Sequence, residues 1–129
     1  MVDGYVVWKF NLGSNTVEVR SNKTYNDGKW HQVIARRTAG DGSLVVKTQN
    51  GDRVMTDETR SDMSSSFISL NLNEAATKIY AAGVPDNFTL PPQVESRRFL
   101  GGLDDITYSE SKIPLGLWNF ASGQANNEG

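Results

Sequence analysis

The fold of this chain is decided by the stretch Asn-Asp-Gly-Lys-Trp-His-Gln-Val at residues 26–33. Its Asp-Gly dipeptide favours the positive φ angles of a tight hairpin turn, and the Trp, Val and Ile residues that follow suit a half-buried strand. We therefore predict a β-strand over residues 30–36, with Trp30 as a core residue. Much later in the chain, the pattern Phe-Leu-Gly-Gly-Leu-Asp-Asp-Ile at residues 99–106 predicts another strand.

Length and composition limit the classes of protein to consider. The chain has 129 residues, of which 37% are hydrophobic, and this is enough for a single domain with a core. Its formal net charge of −2 does not supply the basic stripe of a nucleic-acid-binding domain. No apolar run reaches the roughly 18 to 20 residues that span a bilayer. We expect neither nucleic-acid binding nor membrane insertion.

Apolar and polar residues alternate along most of the chain, which is typical of strands with one buried face. The first strand, at residues 5–12, has an apolar face made of Val6, Trp8, Phe10 and Leu12. Residues 16–20 repeat the alternation, and Val33 and Ala35 would share a face of the strand at residues 30–36. No window shows the helical period of 3.6 residues. The sequence therefore predicts an all-β fold.

Further strands and turns complete this pattern. Asn50-Gly51 is a two-residue hairpin signal, and the polar residues 56–66 predict an exposed loop. The remaining strands are predicted at residues 43–48, 53–55, 67–72, 78–85, 99–108 and 115–120. Many short strands separated by turns indicate a sandwich or jelly roll. Residues 122–129 are rich in Gly and Asn and are expected to fray.

The order of these motifs resembles the laminin G-like module found in laminin α chains, agrin and neurexins. The resemblance extends from residue 5 to residue 120. It is carried by the motifs at residues 10–14, 26–33, 42–46, 79–85 and 99–106, and the closing Gly-Leu-Trp-Asn-Phe at residues 116–120 is similar to laminin α chains in particular. It implies an antiparallel β-sandwich or jelly roll of the concanavalin A-like, laminin G-like kind over residues 1–121.

Two departures from the family pattern affect this expectation. The module opens with strands that precede the Phe-Asn-Leu-Gly motif, so we expect this domain to lack its opening strands and to expose sheet edges. The family commonly has Cys where this chain has Gly102, so the disulfide of the family cannot form here. A disulfide typically contributes roughly 2 to 4 kcal/mol to the free energy of unfolding, and its absence does not exclude the fold. A chain without cysteine is typical of the cytosol, whereas the resemblance implies a secreted protein of the extracellular matrix.

Many modules of this family bind Ca²⁺ through Asp or Asn side chains, and the matching positions here are Thr16 and Ser109. Neither residue carries a carboxylate, which is the ligand that a hard cation prefers. Asp104 and Asp105 are predicted to be strand or rim polar residues, because adjacent strand residues point to opposite faces. We therefore expect no calcium site and no other cofactor.

The resemblance implies a non-catalytic adhesion module that binds cell-surface receptors of the integrin or dystroglycan type, heparan sulfate, or both. Four basic residues could hold sulfate or carboxylate groups if they meet on one sheet face. They are Arg36, Arg37, Lys47 and Arg53. The alternative is a solvated face on which these charges are balanced by Asp41, Asp52 and Glu58. Asn22-Lys23-Thr24 and Asn87-Phe88-Thr89 are N-glycosylation acceptors and predict a glycoprotein.

A lectin-like or glycan-processing sandwich is the alternative function, since one fold can host many activities. It would require an exposed Trp and converging carboxylates, and no Glu-x-Asp-x-x-Glu string occurs. Trp8 and Trp118 are assigned to the core, while Tyr25 and Phe88, in turns, are better candidates for exposed contacts. His31 is the only histidine. We interpret it as a hydrogen-bonded strand residue near a sheet edge, with no catalytic role.

Overall fold

The computed structural model describes residues 1–68, 80, 83–95, 98–108 and 113–114. Within these residues the regular secondary structure consists only of strands. They are β1 (Tyr5–Asn11), β2 (Thr16–Thr24), β3 (Gln32–Thr38), β4 (Asp41–Asn50), β5 (Arg53–Arg60), β6 (Thr107–Tyr108) and β7 (Ile113–Pro114). All of their pairings are antiparallel. The predicted all-β, antiparallel fold is confirmed.

Two compact units make up the chain, residues 1–77 with 91–96 and residues 78–90 with 97–129. Strands β1 to β5 belong to the first unit, and β6 and β7 belong to the second. The predicted domain end at residue 121 and the tail at residues 122–129 lie outside the described residues and stay predictions.

The core of the first unit lies between a two-stranded sheet, β1-β2, and a three-stranded sheet, β3-β4-β5. The predicted alternation of β2 is present, because Val17 and Val19 are buried while the residues between and beside them are not. Val19 packs with Leu44 and Val46 of β4. The cluster also includes Tyr25, with Val6 and Trp8 packed against it. We call the side of the three-stranded sheet that carries Leu44 the Leu44 face.

Gly42 permits the close approach of the two sheets. A Cβ atom at this position would lie 2.8 Å from both Phe10 and Val19 and 3.2 Å from Trp8. Side chains at that distance would have to shift, and tightly packed cores absorb such shifts only at a cost of about 1 to 3 kcal/mol. The absence of a side chain at Gly42 therefore allows the aromatic residues of β1 to pack directly over β4.

Strand β2 contains a bulge opposite Val6. Val7 pairs with Arg20, but Tyr5 pairs with Thr24, so residues 21–23 lie opposite a single residue of β1. The hydroxyl of Ser21 accepts the Val6 N–H at 3.1 Å and donates to the carbonyl of Lys23 at 2.8 Å. Ser21 is buried. Its hydroxyl is the hydrogen-bond partner of the Val6 N–H, which has no partner in the strand ladder where the bulge interrupts it.

Tight turns join the three strands of the larger sheet. Asn50 pairs with Arg53, so the turn residues are Gly51, with φ of 61°, and Asp52. The predicted hairpin is confirmed, but Asn50 ends β4 and does not occupy the turn. In the other hairpin Thr38 pairs with Asp41, and Ala39 adopts a φ of 52°. A positive φ is uncommon for a residue with a Cβ atom.

The segment at residues 56–66 was predicted as a loop, and this is wrong for its first part, because β5 continues to Arg60. These residues pair with β4 throughout, from Arg53 opposite Asn50 to Arg60 opposite Ser43. Among the described residues β4 is the only partner of β5, so within this part of the chain β5 lies at the edge of the sheet. An edge strand needs few apolar side chains, and charged ones there discourage unwanted pairing.

Residues 25–31 connect β2 in one sheet to β3 in the other, so the predicted Asp-Gly hairpin is wrong. Gly28 does adopt a positive φ, of 72°. Strand β3 begins only at Gln32, and Trp30 is 58% exposed, so its assignment to the core is also wrong. Val33 is 48% exposed because β2 packs over β4 and β5, away from this part of β3.

Among the described residues of the second unit, strand pairing consists of β6 with β7 and an isolated bridge between Gly83 and Arg98. The strand predicted at residues 99–108 is confirmed only at its end, and Leu100 is 94% exposed. The described residues of the predicted segments 67–72 and 78–85 are also outside strands. The strand predicted at residues 115–120, including Trp118, lies outside the described residues.

Asp104 and Asp105 were predicted as strand or rim polar residues. Both are exposed, but they lie in a bend before β6 and not in a strand. Asp105 adopts a φ of 50°, and its N–H donates to Asp104 Oδ1 at 2.9 Å. The argument from alternating strand faces therefore does not apply to this pair.

Candidate binding surfaces

The register of the larger sheet decides where the four predicted basic residues lie. Arg36 pairs with Ser43 and Lys47 pairs with Gln32, which places both on the face opposite the Leu44 face. Arg37 pairs with Gly42 and Arg53 pairs with Asn50, which places these two on the Leu44 face. The expectation that all four meet on one face is wrong. Two adjacent arginines in a strand point in opposite directions.

The face with Arg36 contains a further basic residue that the sequence analysis did not include. Ser43 pairs with Arg36 on one side and with Arg60 on the other. The three residues form an arginine row across the sheet, with the two arginine Cα atoms about 10 Å apart. Lys47 lies on the same face about 13 Å further along β4. Arg60 was missed because residues 56–66 were interpreted as a loop.

Two acidic residues, Asp41 and Glu58, lie on the same face as the arginine row, because Asp41 pairs with Thr38 and Glu58 pairs with Val45. Among the described residues, neither Arg36 nor Lys47 takes part in an ion pair. The Nη2 atom of Arg60 lies 3.4 Å from Glu58 Oε1, but both side chains are largely exposed. Exposed pairs of this kind contribute about 0 to 1 kcal/mol. A ligand anion can therefore replace Glu58 as the partner of Arg60 at little cost.

The other two predicted basic residues have different surroundings. The Arg37 guanidinium donates from Nη1 to the carbonyl oxygens of Ala39, at 2.7 Å, and Ile68, at 3.1 Å. It therefore holds the β3-β4 turn against residue 68 as a structural contact. Arg53 is exposed beside the β4-β5 turn. Neither residue joins the arginine row.

Asn22, the first predicted N-glycosylation site, forms hydrogen bonds with the Asp57 carboxylate of β5. Its backbone N–H donates to Asp57 Oδ2 at 3.1 Å, and its Nδ2 donates to Oδ1 at 2.5 Å. The Tyr25 hydroxyl donates to the same carboxylate at 2.8 Å. We call this arrangement the Asp57 clamp. Tyr25 is 7% exposed, so its prediction as an exposed contact is wrong, and burial, followed by the Asp57 hydrogen bond, raises its pKa.

The second acceptor, Asn87, lies in an exposed turn. The N–H of Phe88 closes this turn by donating to the carbonyl of Pro85 at 3.0 Å. Phe88 is 36% exposed, and its ring centroid lies 5.4 Å from that of Tyr80. Only Asn87 of the two acceptors therefore combines exposure with a turn conformation. Occupancy of either site stays a prediction.

His31 lies immediately before β3 and not within it. Its Nδ1 lies 2.7 Å from Thr48 Oγ1 and its Nε2 lies 2.7 Å from Asp27 Oδ1, so the predicted hydrogen bonding is confirmed. The hydrogen bond from His31, and one from the Lys29 N–H, lower the pKa of Asp27. Both ring nitrogens are engaged, which suits a structural role better than that of a general base.

Thr16, one of the two positions that match the family's calcium ligands, begins β2. Its hydroxyl oxygen accepts a hydrogen bond from Asn11 Nδ2 at 3.2 Å. Ser109 lies outside the described residues. Among the residues that are described, no three His, Cys, Asp or Glu side chains are grouped so as to hold a metal ion. Indifference to calcium stays a prediction.

No helix in the described ranges has the length and apolar character to cross a membrane.

Comparison with known proteins agrees with this architecture. The model of the Laminin G domain family matches residues 1–111. The chain is 26% identical over 133 residues to Laminin subunit alpha of Drosophila melanogaster, covering 100% of this chain and 4% of that protein. It is 32% identical over 125 residues to the Basement membrane-specific heparan sulfate proteoglycan core protein of Mus musculus, covering 96% and 3%. No solved structure matches this chain.

Usherin of Homo sapiens is 26% identical over 132 residues, with 97% of this chain and 2% of that protein aligned. The chain thus spans only a small part of the length of each of these relatives. The family match extends over most of the chain and includes all of β1 to β5. Together with the antiparallel sheets that pack through Leu44 and Val46, this shows that the chain belongs to the laminin G domain family.

Proposed function

We propose that this chain is a non-catalytic, secreted interaction module of the extracellular matrix that binds sulfated glycans through the arginine row and Lys47. Membership of the laminin G domain family supports the matrix role, as do relatives such as Laminin subunit alpha and the Basement membrane-specific heparan sulfate proteoglycan core protein. The observation that carries the proposal is the row itself, in which Ser43 lies between Arg36 and Arg60 on one face of the sheet.

The chemistry of the row suits sulfate. An arginine guanidinium presents a planar fork of N–H donors that binds sulfate or carboxylate oxygens in pairs. Two such forks about 10 Å apart can bind separate groups along one chain of sugars. Ser43 adds a hydroxyl donor between them. Because the groups are exposed, each contact is weak, and binding depends on several contacts made together and on low salt.

A cell-surface receptor of the integrin or dystroglycan type is the second class of partner that we propose, on the basis of family membership. Acidic or sulfated groups of such a receptor would meet the same face. Lys47 lies far enough from the row, about 13 Å along β4, for the complete surface to contact an extended ligand and not a single ion. The rigid sheet fixes the spacing of the three cations before binding.

Binding to immobilised heparin across a salt series tests the glycan proposal. We expect the Arg36→Gln/Arg60→Gln variant to elute at clearly lower salt than the unmodified protein. The matched control is Arg20→Gln/Arg53→Gln, which removes the same charge from positions outside the row. Arg20 lies over the Tyr5 ring at 4.0 Å and Arg53 lies beside a turn. Equal weakening in both variants would show that only net charge matters and would reject the row as the site.

The exposure of Trp30 favours the alternative of a lectin-like surface, because sugars often bind against aromatic faces. Trp30 is 58% exposed. A glycan-processing site would also need a free carboxylate. Glu18, the nearest candidate in the sequence, forms an ion pair with Lys9 at 3.1 Å, which counts against that activity. Binding of neutral glycans that is insensitive to salt and lost in Trp30→Ala would support the lectin-like function. Such a result would count against the arginine row.

We also propose that Asn87 is the glycosylated acceptor of the two. A glycan on Asn22 would replace a hydrogen of the amide that donates to Asp57 at 2.5 Å, whereas Asn87 is exposed in a turn. Mass spectrometry of protein secreted from eukaryotic cells should show one glycan that is absent in both Asn87→Gln and Thr89→Ala. A glycan that persists in these variants and disappears in Asn22→Gln would contradict this assignment.

A further inference from the structure

A cavity of about 220 Å³ lies at the edge of the first unit, where β2 ends and the β4-β5 hairpin begins. It is separate from the arginine row, since neither Arg36, Ser43 nor Arg60 lines it. Its lining includes two lysines, Lys23 and Lys29, together with Tyr25, His31 and Met55. We call it the rim cavity.

Several polar side chains in the wall of the rim cavity already have partners within the protein. His31 contacts Thr48 and Asp27, each at 2.7 Å. The Asp27 carboxylate also accepts the Lys29 N–H at 3.1 Å, and these hydrogen bonds lower its pKa. The Tyr25 hydroxyl is directed to Asp57. The wall is therefore fixed before any ligand binds, and a fixed wall reduces the ordering cost of binding.

The charges of the two lysines, in contrast, are not balanced. Among the described residues, neither Lys23 nor Lys29 forms an ion pair with a carboxylate. The Nζ atom of Lys23 lies 5.9 Å from the centroid of the Tyr25 ring. Asp27 is the only carboxylate among the lining residues, and it is bound by His31. The rim cavity therefore favours an anion.

The wall distinguishes between kinds of anion. The Tyr25 ring is 7% exposed and meets the His31 ring edge-on at 4.9 Å, so this cavity offers no aromatic face for a sugar. Lysine also lacks the planar fork by which arginine binds sulfate. Met55 is 48% exposed, and its flexible thioether can pack against a short aliphatic chain. A carboxylate on a methylene stem matches these features.

We propose that the rim cavity is a docking site for an acidic side chain of a protein partner. Lys23 and Lys29 bind the carboxylate, and Met55 packs against its methylene groups. The site does not depend on the glycan proposal, because the two surfaces share no residue. One module can in this way hold a glycan on the sheet face and an acidic peptide at the rim.

Fluorescence anisotropy with a labelled Gly-Ser-Glu-Glu-Ser-Gly peptide at low salt tests the proposal. We expect saturable binding that is about tenfold weaker in Lys23→Gln/Lys29→Gln. Binding should be nearly unchanged in Arg36→Gln/Arg60→Gln, which removes the same charge elsewhere. Equal weakening in the two variants, or equal binding of the peptide with Gln in place of Glu, would overturn the proposal. Heparin binding of the same variants reports separately on the arginine row.

A second measurement uses the unmodified protein and so does not depend on the folding of a variant. The peptide should slow the acetylation of Lys23 and Lys29 by a lysine-reactive ester, as measured by mass spectrometry, and leave Lys47 unaffected. Uniform modification of all three lysines with and without peptide would overturn the proposal. Displacement of the peptide by a glucuronate disaccharide at lower concentrations than by unlabelled peptide would identify a glycan as the occupant and also overturn it.

Discussion

Replacing Asp57 by alanine should lower the free energy of unfolding by about 3 kcal/mol, because its carboxylate accepts every hydrogen bond of the Asp57 clamp. The largest part comes from Tyr25, whose hydroxyl is buried and would lose a charged acceptor, which typically costs about 1.5 to 3 kcal/mol. The two hydrogen bonds from Asn22 are more exposed and contribute about 0.5 kcal/mol each.

Urea unfolding measures this difference, and Glu58→Ala is the matched control. Glu58 is the next residue of β5, but it lies on the opposite face and its side chain is 52% exposed. Its replacement should change the free energy of unfolding by no more than about 0.5 kcal/mol. Tyr25→Phe should cost about 2 kcal/mol, and the double variant with Asp57→Ala should cost less than the sum of the single effects.

A result of less than about 1 kcal/mol for Asp57→Ala would refute the reasoning, because the buried hydroxyl of Tyr25 would then have found another partner. Full additivity of Asp57→Ala and Tyr25→Phe would refute it as well. Residues that share a hydrogen bond are expected to couple, and independent effects would mean that the bond between them contributes nothing.

Four other predictions follow from the same structure. Ala39→Gly should raise stability by about 1 kcal/mol in urea unfolding, because Ala39 has a positive φ, whereas Gly40→Ala should lower it, because its Cβ would overlap the Ser65 carbonyl oxygen. The raised pKa of Tyr25 means that its stabilising contribution is complete below about pH 10 and is lost as the pH rises further. A stability profile of Tyr25→Phe should therefore fall less steeply in alkali. Trp30→Ala should cost less than about 1 kcal/mol, against about 2 to 5 kcal/mol for Leu44→Ala, by urea unfolding of each. Millimolar calcium should leave the melting temperature unchanged in differential scanning calorimetry, and a clear upward shift would show a site that the alignment of Thr16 and Ser109 overlooked.

The parts of the fold that could be predicted are those in which one face of a strand is buried. Val17 and Val19 alternate with polar residues, and Leu44 and Val46 occupy the same face of β4. In β2 the burial of one face leaves a period of two in the sequence, whereas in β4 Val45 on the other face is also buried and no such period appears. The Asn50-Gly51 signal likewise placed a hairpin correctly, because the backbone of the turn demands a residue that tolerates a positive φ.

The parts that could not be predicted depend on contacts between strands. The second half of β5 has polar residues on both sides, so no alternation marks it, and its pairing with β4 is visible only in three dimensions. That omission also hid Arg60 and hence the arginine row. Trp30 looked like a core residue by type, but its exposure follows from where β2 packs, which no local pattern records.

The bulge at residues 21–23 has a consequence for how the length of this segment can vary among related chains. Two extra residues of β2 lie opposite Val6. Because this number is even, the side chains of Thr24 and Tyr25 point to the same faces of the sheet as they would in a ladder without a bulge. Loss of a single residue would exchange those sides and turn the Tyr25 ring away from Leu44, whereas loss of two would preserve them. Insertions and deletions at this point of an alignment should therefore be even in number.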